Sequence, residues 1–69
     1  MRARPVEPGD HFARRHAPGR VFVVERIDRY DTVPHARLKA LASSDRLTIA
    51  VAAMEASGWV RVAHDDKAA

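Results

Sequence analysis

RVFVVERIDRY, residues 20–30, is the stretch of this sequence that decides the fold. Its apolar residues are β-branched or aromatic, the types that pack well on a pleated sheet: Val21, Phe22, Val23, Val24 and Ile27. Phe22 and Val24 would share one face of a strand, whereas Ile27 falls out of phase with them. The pattern therefore predicts a strand with a β-bulge near Glu25 and Arg26 that restores the alternation.

A second strand is predicted at residues 35–40, HARLKA, where polar and apolar side chains alternate with a period of two. The apolar residues of this strand would face the core: Ala36, Leu38 and Ala40. The residues between them would present a basic row on the other face: His35, Arg37 and Lys39. Residues 31–34, which separate the two strands, are predicted to form a turn.

Three further strands and one helical turn are predicted around this pair: strand 11–15, strand 46–50, helical turn 51–55 and strand 59–62. Four strands, a helical turn and a short last strand follow the order of an SH3-like barrel, and closure removes the exposed edges that promote pairing between chains. We therefore predict a mainly β protein, a small five-strand SH3-like barrel with one short helical turn before the last strand. Its single domain would span residues 6–63, with flexible ends at 1–5 and 64–69.

Size and composition bound the class of protein. At 69 residues the chain can hold one domain of modest stability. It contains no cysteine, which excludes disulfides, thiolate zinc sites and thiol nucleophiles and favours a reducing compartment. No apolar run is long enough to cross a bilayer, and the start lacks the apolar segment of a signal peptide, so we expect a cytoplasmic protein without a membrane partner.

The net charge of +3 is unevenly placed along the chain. Residues 1–20 carry five Arg against two acidic residues, whereas residues 21–60 balance five basic residues against five acidic ones. This excess of Arg would suit recognition of phosphate or carboxylate groups. The chain is also rich in Ala, and GC-rich coding produces the same combination of Arg and Ala, so composition alone does not name a partner.

Core and turn residues along most of the chain form a recognisable pattern, which we call the frame. The frame consists of Gly9-Asp10 before Phe12, Phe22-x-Val24 before Arg26-Ile27, Pro34-His35-Ala36-Arg37-Leu38, Leu47-Thr48-Ile49, Met54 and Trp59. It resembles that of small bacterial SH3-like proteins of uncharacterised function. Because its members are core and turn positions, the resemblance implies a fold and very little chemistry.

Residues 47–55 look like the end of the plasmid-borne type II dihydrofolate reductases, which are SH3-like tetramers with one central active pore. Those enzymes hold cofactor and substrate with a glutamine and a tyrosine in this strand, where the present chain has Thr48 and Ala50. The resemblance therefore implies no reductase activity, and we expect neither catalysis nor a cofactor.

Residues 44–66 also look like the recognition helix and wing of winged helix-turn-helix regulators. The apolar residues here fall at helical spacing, between Ser44 as an N-cap and Gly58 as a stop: Leu47, Ala50, Val51 and Met54. Such a domain needs two further helices upstream, where residues 1–42 are β-rich. The sequence leaves open whether residues 44–57 form a strand and a turn or one long helix, which would favour DNA binding.

The candidate functional residues are basic or aromatic, because the histidines lack the spacing and carboxylate neighbours of a metal site and the serines lie in predicted turns. Seven residues are candidates for binding an anion or a nucleic acid: Arg14, Arg15, Arg20, His35, Arg37, Lys39 and Arg46. Tyr30 and Trp59 are candidates for a partner surface. Outward charges also serve solubility alone, and nearby acidic residues could neutralise several of them.

We therefore expect a non-catalytic interaction module that binds a protein partner or itself through one barrel face. The alternative is a nucleic-acid-binding protein that uses the basic sheet face or a winged-helix element.

Overall fold

The architecture is a five-stranded antiparallel sheet with one short helix, as seen in a computed structural model that describes residues 5–56 and 58–63. The elements in chain order are β1 (His11–Arg14), β2 (Ala17–Tyr30), β3 (Val33–Ala40), β4 (Arg46–Ala50), α1 (Val51–Ala56) and β5 (Trp59–Val62). The strand order across the sheet is β4-β3-β2-β1-β5. The first strand thus lies between β2 and β5, and β4 and β5 form the two edges.

The long strand β2 contains the predicted bulge. Its register with β3 shifts between Val24 and Arg26, which leaves Glu25 as the extra residue. Beyond the bulge Ile27 lies opposite Ala36, a residue with no exposed surface, and packs against the core. The prediction of a bulge that brings Ile27 back into phase is confirmed.

The core lies on one face of the sheet and is covered at one end by α1. It comprises eight buried residues: Val6, Phe12, Phe22, Val24, Ala36, Leu38, Ala40 and Met54. Leu47, Ile49 and Trp59 are partly buried against it. The inward-facing residues predicted for β3 are therefore confirmed, and burial of these apolar side chains is the main term that stabilises so small a fold.

Residues 46–50 form the strand β4, and the helix that follows has only six residues. Leu47 pairs with Leu38 and Ile49 with Ala36, so both side chains reach the core from an extended backbone. Pairing with β3 also supplies the backbone hydrogen bonds that a helix would otherwise provide. The long helix required by the winged-helix alternative does not form in this stretch, where the structure has the predicted strand and helical turn.

The starts of two strands differ from those predicted. β2 begins at Ala17, because Arg14 ends β1 and pairs with Ala17 across a two-residue turn, and residues 18–19 fall within the strand, where the register shifts. β3 begins at Val33, because Val33 already pairs with Tyr30. In both places a short turn replaces the longer one that the sequence indicated.

The turn between β2 and β3 is conformationally strained. Its two residues, Asp31 and Thr32, have φ angles of 55° and 64°, in the left-handed region. Two-residue hairpin turns of this kind favour Asn-Gly or Asp-Gly, because a residue with a Cβ, and a β-branched one above all, pays a steric cost at positive φ.

Replacement of Thr32 by glycine is expected to raise the free energy of unfolding by about 1 kcal/mol, because glycine adopts this backbone conformation without the steric cost. Urea denaturation followed by circular dichroism measures the change. Thr48, an exposed threonine in β4, provides the matched control: Thr48→Gly should lower stability, since glycine weakens a strand. A loss of stability in Thr32→Gly would show that the turn is not strained.

Candidate anion-binding sites

The outer face of the sheet, opposite the core, carries a basic cluster made of Arg26, Arg37, Lys39 and Arg46. Arg37 and Lys39 alternate with the buried residues of β3 and therefore point away from the core. The register places Arg37 opposite Arg26 of β2, and Lys39 opposite Arg46 of β4. Like charges directly opposite on neighbouring strands destabilise a sheet, so the fold carries this cost at two positions of one face.

Acidic residues of β2 neutralise half of this basic cluster. The Nε atom of Arg26 lies 2.9 Å from Asp28 Oδ2, and Nε of Arg46 lies 3.2 Å from Glu25 Oε1. The hydrogen bond to Asp28, and then its Coulomb attraction, raise the pKa of Arg26. Lys39 and its neighbour on β3, Arg37, make no ion pair within the described part of the chain. The uncompensated charge is therefore concentrated at the middle of β3.

An apolar strip, made of Leu41, Val21, Ala13 and Val60, crosses the same outer face beside the basic cluster. The amide of Leu41 donates to the Val21 carbonyl at 3.0 Å, Val21 pairs with Ala13, and Ala13 pairs with Val60. The two ends of the strip are open to solvent, since Leu41 is 54% exposed and Val60 42% exposed. Val23, paired with Lys39, connects the strip to the basic cluster.

The free end of the β2–β3 hairpin holds the remaining candidates of the outer face. His35 lies opposite Asp28, and its Nδ1 is 2.9 Å from the Val33 carbonyl. The ring of His35 meets that of Tyr30 edge to face, with 4.9 Å between the centroids. Tyr30 is exposed, so one aromatic ring is accessible at this end.

A cavity of about 420 Å³ lies on another side of the domain, between the β1–β2 hairpin and the start of β4. Three arginines from three different strands line it, Arg14, Arg20 and Arg46, and two core residues, Phe22 and Leu47, supply apolar surface. We call this the arginine cavity. Its arginines are up to 32 positions apart in the sequence, and strand pairing alone brings them together.

Aromatic rings hold two of these arginines in place. The Arg14 guanidinium carbon lies 4.9 Å from the centroid of the Trp59 ring, and that of Arg20 lies 5.5 Å from the Phe22 ring. The two rings meet edge to face, with centroids 5.8 Å apart. Cation–π contacts restrain a guanidinium and leave its N–H donors free for an anion.

The ion pair between Arg20 and Asp45 forms one wall of the arginine cavity. The Arg20 Nη2 and Asp45 Oδ2 atoms are 2.5 Å apart, and both side chains are more than half exposed. Both residues also line a second cavity of about 550 Å³, bounded by Gly19 and Leu41. The ion pair therefore separates two neighbouring cavities.

Six of the seven basic candidates from the sequence occupy two regions instead of one surface, and Arg15 lies in neither. Arg14 and Arg20 line the arginine cavity, whereas the basic residues of β3 lie on the outer face. Arg46 belongs to both regions. Arg15 is exposed in the β1–β2 turn, where its amide donates to the Gly58 carbonyl at 2.7 Å.

Arg26 is the site residue that sequence reasoning missed. The bulge at Glu25 was the signal that could have found it, because a bulge moves every later residue of β2 to the opposite face. Arg61, by contrast, lies 2.7 Å from the Asp10 carboxylate and beside the Phe12 ring, away from both regions.

Other classes of site find no support in the described residues. Within 5–56 and 58–63, no group of three or more His, Asp or Glu side chains is arranged to hold a metal ion, and His64 lies outside that part. No helix there is long and apolar enough to cross a membrane. The ends predicted to be flexible fall, apart from Pro5, on residues outside the described part.

Comparison with models of protein families, with curated proteins and with solved structures found no match to this chain. The resemblances noted in the sequence therefore stay predictions, and the functional argument rests on the geometry of the two regions.

Proposed function

We propose that this domain is a non-catalytic interaction module that binds an acidic segment of a protein partner on the outer face of its sheet. The observation that carries this proposal is the pairing of like charges in the register, Arg26 opposite Arg37 and Lys39 opposite Arg46. Such pairs cost stability, and the ion pairs to Asp28 and Glu25 offset that cost only at Arg26 and Arg46. A bound acidic segment would offset the remaining cost and gain attraction from Arg37 and Lys39, which make no ion pair in the described part of the chain.

The apolar strip beside the basic cluster supports a protein partner. Protein interfaces combine an apolar centre with Arg-rich surroundings. Leu41 provides exposed apolar area two residues from Lys39, and Val60 provides it at the other end of the apolar strip, on β5. A segment that alternates acidic and apolar side chains would complement both parts of the face.

A nucleic acid complements this face less well. Proteins that bind single strands stack bases on exposed aromatic rings. Of the four aromatic residues, Phe12 and Phe22 are buried in the core and Trp59 packs against Phe22, which leaves Tyr30 at the tip of the hairpin. The basic cluster is thus flanked by aliphatic side chains instead of stacking platforms.

The fold that we propose for this module is a small, partly open SH3-like barrel. The strand order, with β1 between β2 and β5, and the short helix that joins β4 to β5 both support it. Nuclear Overhauser contacts between the backbones of β4 and β5 would establish closure, and their absence would leave an open sheet.

The proposed interaction is tested with a fluorescein-labelled peptide in which Glu alternates with Val, and with a twin that has Gln in place of Glu. We expect only the acidic peptide to bind, more weakly at 250 mM than at about 50 mM salt, because exposed charges are screened. Arg37→Gln and Lys39→Gln should each lower affinity about 1.5- to fivefold, the effect of losing one solvent-screened charge contact. Fluorescence polarisation measures these affinities.

Arg29→Gln is the matched control, since Arg29 is an exposed arginine of β2 outside both regions and has no ion pair in the described part of the chain. It should bind the acidic peptide like the native protein. Equal binding of both peptides would contradict the proposal. Tighter, salt-sensitive binding of labelled single- or double-stranded oligonucleotides would favour the nucleic-acid alternative. A concentration-dependent dimer in light scattering that excludes the peptide would favour self-association.

A further inference from the structure

The arginine cavity has a positive charge that its own residues do not neutralise. Arg14, Arg20 and Arg46 face one lining carboxylate, Asp45, which gives the lining a formal charge of +2 with His16 counted as neutral. Asp45 pairs with Arg20, and Glu25, which does not line the cavity, pairs with Arg46. Arg14 makes no ion pair within residues 5–56 and 58–63. The position near Arg14 is therefore the part of the cavity where an anion would find an unneutralised positive charge.

The geometry of Arg14 favours an anion that accepts several hydrogen bonds. Its guanidinium lies 4.9 Å from the Trp59 ring, a contact that limits its motion and leaves its N–H donors free. Restraint of this kind lowers the entropy lost when an anion binds. Arginine donates paired hydrogen bonds to phosphate and carboxylate oxygens.

The size and remaining lining of the cavity indicate that the anion has an apolar body. A volume of about 420 Å³ falls within the range of small-molecule sites, about 300 to 1,000 Å³. Phe22, Leu47 and Ala17 line it beside the arginines. An inorganic ion would leave this apolar surface in contact with water.

We propose that the arginine cavity binds a small organic phosphate, with the phosphoryl group at Arg14 and Arg20 and the apolar body against Phe22 and Leu47. A phosphate monoester carries a charge of about −1.5 to −2 at pH 7, enough to attract both Arg14 and Arg20, whereas a carboxylate carries half as much. This site is separate from the peptide-binding face and shares only Arg46 with it.

Asp45 has a defined role in this site, as an internal competitor of the phosphate. Its carboxylate occupies the donors of Arg20 at 2.5 Å, although both side chains are exposed. A phosphoryl group that reaches Arg20 must displace Asp45 or share the guanidinium with it. Asp45 therefore sets the affinity and selects dianions over monoanions.

Titration of the ¹⁵N-labelled full chain with phenyl phosphate, followed by amide shifts, tests the proposal. We expect saturable shifts at residues 14–17 and 45–47. Arg14→Gln should weaken binding at least about tenfold, as loss of a charge-assisted hydrogen bond predicts, and Asp45→Asn should strengthen it about threefold. Arg29→Gln and Arg37→Gln should leave it unchanged. Arg20→Gln provides a second variant, and the dispersion of the amide spectrum verifies that each variant is folded.

Parallel titrations with benzoate and with inorganic phosphate distinguish the parts of the proposal. Benzoate should bind more weakly because it is a monoanion, and inorganic phosphate more weakly because it lacks the apolar body. Equal binding of either probe, unchanged affinity in Arg14→Gln, or shifts confined to the outer face would overturn the proposal. Loss of peptide binding in Arg37→Gln with phenyl phosphate binding retained would show that the two sites are independent.

Discussion

Replacement of Leu38 by alanine is expected to remove a large share of the stability of the domain. Leu38 lies in the middle of β3, has no exposed surface and pairs with Val24 on one side and Leu47 on the other. Truncation of a buried leucine removes about 2 to 5 kcal/mol through lost burial and the cavity left behind. A domain of this length has a free energy of unfolding of about 3 to 10 kcal/mol in total. Urea denaturation followed by circular dichroism measures the loss.

Leu41→Ala is the matched control, because it removes the same atoms from a leucine that is 54% exposed. Its free energy of unfolding should stay within about 0.5 kcal/mol of the native value. If the two variants lost equal stability, the core would not be centred on Leu38.

Replacement of Phe22 by alanine is expected to cost about 3 to 5 kcal/mol, because a large buried ring leaves a large cavity. Phe22 is 6% exposed and meets Trp59 edge to face. It also lies under Arg20 in the arginine cavity. The change should therefore lower stability and alter the environment of the single tryptophan at once, which urea denaturation followed by fluorescence detects.

Phe22→Leu separates these effects, since it retains most of the apolar volume and should cost less than about 1.5 kcal/mol. The folded variant should still show an altered Trp59 emission, because the edge-to-face contact with the ring is lost. An unchanged emission spectrum would contradict the packing of Trp59 against Phe22.

The two proposed sites differ in how their arginines are used. On the outer face the register sets Arg37, which is partly buried, opposite Arg26, which is exposed to solvent, so long-range attraction and salt sensitivity should dominate. In the arginine cavity Arg14 and Arg20 are restrained by rings, so geometry and the charge of the ligand should dominate. A module of this kind could join an acidic protein segment to a small phosphorylated ligand.

Local patterns in the sequence were sufficient to predict the strands and to predict which face of a strand is buried. The alternation in residues 35–40 predicted the buried Leu38 and the outward Arg37, and the phase break before Ile27 predicted the bulge. These properties depend on a few adjacent residues, since the direction of a side chain in a strand alternates with position. The passage from Leu47 to Met54 was ambiguous, because its apolar residues suit a helix as well as a strand.

The grouping of the basic residues was decided only by the tertiary structure. Arg14, Arg20 and Arg46 share one cavity because β1, β2 and β4 reach the same end of the sheet, and Arg26 joins the outer face because a bulge shifts its strand. Such neighbours follow from strand order and register, and a slip of one residue would reverse every side chain of a strand. The sequence by itself determined the strands and the buried face, because these follow from the spacing of apolar residues. Tertiary structure decided which charges meet, because charged residues far apart in the chain share no local pattern.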